Sequence, residues 1–130
     1  MQDSFRRSTL TLPTPATVAA ANGVASYTAP RKMRIAGAQL CLSDSGTGAG
    51  ATKAVINVNG VPIIAANDLS IAGAAGNKTV GVGVSLGSNQ YPGGALVNKG
   101  DLITVDITAV PGTTVPKCAT VVLDMLELDA

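Results

Sequence analysis

The chain has 130 residues, a formal net charge of +1 and only 13% charged side chains, and of its residues 46% are hydrophobic but just 2% aromatic. That length holds one domain with a real core and is too short for two ordinary ones, and the near-neutral balance excludes a general electrostatic pull toward nucleic acid or anionic lipid. Histidine and tryptophan are absent, so no imidazole serves as general base, triad member or metal ligand, and neither an enzyme nor a cofactor is expected.

Residues 1–15 read as an extended N-terminal arm, followed by a domain over 16–130. Pro13 and Pro15 fix extended backbone that cannot join a central ladder. In such an arm Phe5, Leu10 and Leu12 would anchor on a neighbouring protein while Arg6 and Arg7 find carboxylates there; a frayed terminus is the plainer alternative. No apolar run of signal-peptide or membrane-span length occurs, so synthesis and use in the cytosol, or release by lysis, is expected.

Strand signals then recur at intervals of roughly eight to twelve residues. Residues 16–21 and 23–28 flank Asn22 and Gly23, a candidate tight turn, and Ala29 with Pro30 breaks the chain before the run 33–43. In that run Ile35 and Leu40 stand an odd number of positions apart, so both face inward only if the strand bulges near Gly37. DSGTGAG, 44–50, is a loop; it lacks the Gly-Lys-Ser/Thr ending of a phosphate cradle and no helical pattern follows. In KAVINVNGVPII, 53–64, Ala54, Ile56 and Val58 share a face before Asn59 and Gly60, the dipeptide suited to a two-residue hairpin turn. Ile63 and Ile64 continue the return strand, and Pro62 marks it as an edge.

After a short run at 68–73 comes TVGVGVSLG, 79–87. Val80, Val82, Val84 and Leu86 lie on one side, and Gly81, Gly83 and Ser85 leave the other almost bare, open to another backbone or subunit or lying beneath a loop. Residues 90–101 read as turn, short strand, turn. In GDLITVDITAV, 100–110, Ile103, Val105, Ile107 and Ala109 make a core face and Leu102, Thr104, Asp106 and Thr108 the opposite one. Asp106 has no catalytic companion in the sequence and is expected as a solvent-facing or interface-rim carboxylate, while Asp101 suits local backbone hydrogen bonds at a turn. The last run, 118–128, sets Val121, Leu123 and Met125 against Val122, Asp124, Leu126 and Leu128; two apolar faces fit a subunit contact, or a bulge near Met125. Cys41 and Cys118 read as buried free thiols, with a bridge as the alternative, and two thiols without histidine make no zinc site. No segment holds a helical period over three turns, so the class is all-β: seven to nine strands in two packed antiparallel sheets, an antiparallel β-sandwich of jelly-roll topology.

The succession VASYTAP (24–30), INVNGVPI (56–63) and NKGDLITVDITAVPG (98–112), closed by a Val/Leu strand, resembles small jelly-roll virion proteins of tailed bacteriophages, the capsid decoration or cement proteins and related fibre modules. The resemblance implies a non-enzymatic homotrimer, made in the host cytoplasm and placed on the outer capsid surface of the virion, where it bridges neighbouring copies of the major capsid protein. The residues suited to such contacts are Phe5, Arg6, Arg7, Leu10 and Leu12 toward the capsid, and Gly81, Gly83, Ser85, Val122, Leu126 and Leu128 toward sister subunits. Neither nucleic acid nor membrane is an expected partner. The alternative is a fibre or tail-associated jelly-roll module that binds host-surface glycans, with Tyr91 as its contact.

Overall fold

The computed structural model describes residues 5–14, 18–65, 67–73, 80–85, 95–114, 116–117 and 119–128. Ten strands and no helix occur among them: β1 (Phe5–Pro13), β2 (Ala21–Thr28), β3 (Met33–Leu42), β4 (Ala51–Val58), β5 (Val61–Pro62), β6 (Leu69–Ala72), β7 (Val80–Ser85), β8 (Ala95–Val97), β9 (Leu102–Ala109) and β10 (Thr120–Leu128). Every pairing is antiparallel and the pairs are nested: β1 with β10, β2 with β9, β3 with β7 and β8, β4 with β5 and β6. The chain is thus one long two-stranded ribbon doubled back at its tip. Rolled up, successive stretches of ribbon fall alternately into two sheets, β1-β10-β3-β7 with β8 also on β3, and β2-β9-β4-β5 with β6 also on β4. This wrapped arrangement is the jelly roll.

The tip is the turn at Asn59 and Gly60, between the paired residues Val58 and Val61. Both turn residues have positive φ, 51° and 81°, the combination that matches the twist of two flanking strands and that an Asn-Gly pair adopts at least cost.

Alternation places the core between the sheets. Ile103, Val105 and Ile107 of β9 face Leu40, Leu42, Val121 and Leu123 of the first sheet in one continuous cluster of buried aliphatic side chains. Ile35 and Leu40 are both fully buried, and β3 achieves this with the expected bulge. Asp124 pairs with Gly37 and the next residue, Met125, with Ile35, leaving Ala36 as the extra residue. The irregularity therefore lies in β3, and β10 keeps strict alternation, with Val121, Leu123 and Met125 buried and Val122 and Leu126 half-buried on the opposite face.

Several expectations need correction. The greater part of the proposed arm is a strand: β1 pairs along its whole length with β10, from Phe5 opposite Leu128 to Pro13 opposite Thr120. Leu12 is core, 5% exposed, and Leu10 packs against it, because Leu10 and Leu12 alternate with Thr9 and Thr11 at strand period. The edge position of β1 accommodates Pro13. Asn22 and Gly23 do not make a hairpin; β2 runs through them, and its register with β9 shifts between Ala21 opposite Ile107 and Ala25 opposite Val105. Ile63 follows the two-residue β5 and carries its register one step on, donating its N–H to the Ile56 carbonyl at 2.9 Å, and Ile63 and Ile64 are both buried. Cys41 is a free thiol, half-buried on a strand, and Cys118 lies outside the described residues.

Candidate interaction surface

Pairing register fixes which residues share the outer face of the first sheet. Across β10, β3 and the β7/β8 edge the rows read Thr120, Cys41, Gly81; then Val122, Gln39, Gly83; then Asp124, Gly37, Ser85; then Leu126, Arg34, Leu96. Thr11 and Thr9 of β1 lie opposite Val122 and Asp124. The two features read separately from the sequence, the lean side of 79–87 and the second apolar side of the last strand, thus come together on one sheet face with β3 between them. Val122 and Leu126 are half-buried, Gly81, Gly83 and Gln39 are exposed, and Leu96 is 43% exposed. Among described side chains only Asp124 and Arg34 bring charge to these rows.

Gly37 keeps this face low: a Cβ there would come within 3.2 Å of the Val84 carbonyl oxygen and 3.3 Å of the Asp124 carboxylate. Two shallow hollows interrupt the face. One, about 250 Å³, is lined by Gln39, Cys41, Gly81, Val82 and Gly83. The other, about 160 Å³, is lined by Ser8, Thr9, Ala36, Asp124, Met125 and Leu126, where the β3 bulge sits beside β10.

The outer face of the second sheet mixes apolar and polar groups, with Leu102 43% exposed on the same side of β9 as Thr104, Asp106 and Thr108. Asp106 accepts the backbone N–H of Gly23 at 2.7 Å through Oδ1 and the side-chain amide of Asn57 at 2.9 Å through Oδ2. One carboxylate on β9 therefore ties the β2 irregularity to β4 on its other side. Both oxygens are engaged, so Asp106 is a structural clamp, where the sequence suggested a solvated or rim carboxylate. Asp101 behaves as expected at its turn, accepting the Asn98 N–H at 2.9 Å. Hydrogen bonding with the Asn59 side chain, and then with the Asn98 backbone, holds its carboxyl below the ordinary range. Asp44 and Asp68 accept the N–H groups of Gly46 and Ala65, each at 2.9 Å, in local turns.

The glycine-rich loop 44–50 turns its backbone inward. Thr47 donates its N–H to Thr114, Gly112 donates to Ala49, and the Thr47 and Thr114 hydroxyls meet at 2.8 Å. These N–H groups serve loop packing and do not point to an anion.

Of the residues expected to contact the capsid, Leu10 and Leu12 face the interior, and Phe5, Arg6 and Arg7 hold strand positions opposite Leu128, Glu127 and Leu126. The side chains of Phe5, Arg6, Arg7, Ser85 and Leu128 and the whole of Tyr91 lie outside the described ones. Sequence reasoning missed Gln39 and Cys41, which join the glycine side of β7; counting the period of two onward from the bulge places both outward.

No family model and no curated protein matches the chain. Among solved structures it is similar to a chain of the capsid of Ralstonia phage GP4, with 14% identity and a TM-score of 0.49 over 99% of this chain and 86% of that one. It is similar to a chain of the cyanophage Pam1 capsid asymmetric unit, with 17% identity and a TM-score of 0.49 over 98% and 86%. A family 35 carbohydrate-binding module from Clostridium thermocellum shares 11% identity, with a TM-score of 0.42 over 93% and 98%. Phage capsid chains are thus among the structures it resembles.

Proposed function

We propose that the chain is a non-enzymatic structural protein of a bacteriophage virion, a capsid decoration or cement protein that forms a homotrimer and bridges neighbouring major capsid subunits from the outer surface of the head. The observation that supports this reading is the outer face of the first sheet, where half-buried Val122 and Leu126 and bare Gly81 and Gly83 lie on one low surface, with Asp124 and Arg34 in its rows and Arg7 at the strand position opposite Leu126. The apolar and bare positions of that surface lose little by leaving water and gain from close packing. Val122, Leu126 and Leu128, with Gly81, Gly83 and Ser85, are assigned to sister subunits, and Phe5, Arg6 and Arg7 to the shell. A protein that binds only the assembled head stabilises it by mass action, and contacts burying about 800 Å² per partner suffice for lasting association.

The test is the mass of the purified protein, followed by mixing with shells of the parent phage that lack it. The expected result is a multiple of three protomers, saturable binding to shells, and shells that rupture at a higher temperature once coated. Loss of binding is expected for Val122→Lys with Leu126→Lys in a protein that still folds. A persistent monomer that ignores shells, or one that binds host cells instead, overturns the reading.

A further inference from the structure

The edges of the two sheets are not alike. β1 carries Arg6, Arg7 and Pro13, β2 is broken by its irregularity near Gly23, and β5 is two residues long and contains Pro62. β6 and β8 have four and three residues. Short length, charge, proline and irregular register are the devices that stop a sheet edge from recruiting another strand. β7 has none of them. Its six residues, Val-Gly-Val-Gly-Val-Ser, pair with β3 in unbroken register from Gly37 opposite Ser85 to Leu42 opposite Val80. Among the described residues β7 pairs with β3 alone; β6 approaches it from the second sheet without joining its ladder.

From this geometry we infer that the edge of β7 left unpaired among the described residues is a self-association site, at which a second copy of the chain pairs its own β7 antiparallel across a two-fold axis at Val82. The occupant is set by the strand's symmetry. Outward from Val82 the sequence is glycine then valine in both directions. An antiparallel mate centred there sets Val82 against Val82, Gly81 against Gly83 and Val80 against Val84 of the second copy, so one patch is its own complement. The two first sheets become one continuous sheet. Val82 and Val84 are packed on the core yet only half-buried, and the new neighbour covers their remaining surface. On the outer face the glycines of both copies meet with no side chain between them, so nothing resists a flat junction.

This contact stands on the edge geometry and not on the cement reading, and the two fail separately. Sedimentation and native mass spectrometry of the full chain are expected to give an even number of protomers, a dimer or a pair of trimers. Val82→Lys sets two like charges face to face and is expected to halve the mass. Should that variant misfold, Val82→Cys decides the matter: mild oxidation is expected to yield a covalent dimer joined at residue 82, a species that identically treated unsubstituted protein does not form. A monomer or lone trimer with no bond at residue 82 overturns the edge pairing, and a lone trimer leaves the cement reading intact.

Discussion

Asp106 and Gly23 are 83 positions apart in the chain and joined by a 2.7 Å hydrogen bond, the carboxylate of one accepting the backbone N–H of the other. Its second oxygen takes the amide of Asn57, which is 6% exposed. Asp106→Ala strands both donors and is expected to lower unfolding stability by about 2 kcal/mol, since hydrogen bonds to charged groups are the stronger kind. Asp106→Asn keeps an acceptor for Gly23 while turning an amide toward Asn57, with an expected loss of about 1 kcal/mol. Denaturant midpoints at neutral pH separate these outcomes from the negligible change expected of a solvated carboxylate.

Thr52 carries a buried liability. Its side chain is 0% exposed and its hydroxyl has no hydrogen-bond partner among the described residues. Thr52→Val keeps the branched shape that suits a strand and removes the unsatisfied group, so it is expected to raise stability by about 1 kcal/mol. Equilibrium unfolding of the variant beside the parent checks the sign.

How much of this was legible in the sequence depended on the range of the interaction responsible. Local chemistry announced itself: Asn59 and Gly60 form the tip of the ribbon, and the odd spacing of Ile35 and Leu40 located the β3 bulge to within a residue of Gly37. Asn22 and Gly23 carry the same dipeptide signal as the tip and have another fate, because Asp106 captures the Gly23 N–H from a distant strand. No local rule contains that partner. The β1 strand was readable in the alternation of Thr9, Leu10, Thr11 and Leu12, but the flanking prolines outweighed it. Of the candidate surface, the sequence supplied the glycine side of β7 and the outer side of β10; that they share a face follows from β3 lying between them, a matter of topology.

Two glycines with positive φ are expected to respond differently to alanine. At Gly60, with φ +81°, an added Cβ meets nothing within 4 Å, so only backbone strain of about 1 kcal/mol opposes it. At Gly48, with φ +103°, the Cβ would collide with the Thr113 side chain and lie 2.7 Å from the Thr113 nitrogen. The loops 44–50 and 110–114 must part to admit it, and Gly48→Ala is expected to cost about 3 kcal/mol or more. Thermal unfolding of the pair measures the contrast.

Asp101 predicts an acid limb. Hydrogen bonds from Asn59 and Asn98 lower its carboxyl in the folded state below the unfolded value of about 3.9, so the unfolded chain binds the extra proton. Its contribution is present in full above that value and is lost as pH falls through the folded one. Midpoints measured between pH 6 and pH 2 are expected to fall less steeply for Asp101→Asn than for the parent, with no difference in slope near neutrality.

The nesting of the strand pairs also governs how the molecule must assemble in time. Only the hairpin at Asn59 and Gly60 joins near neighbours; each outer pair bridges a longer loop, up to Phe5 beside Leu128. Closing such loops spends chain entropy before any contact repays it, so folding is expected on the slow millisecond-to-second scale of β-rich topologies. The order is expected to run from the tip outward, like a zip drawn from the middle of the sequence toward its ends, so that a nascent chain completes the core only after β10 has been synthesised.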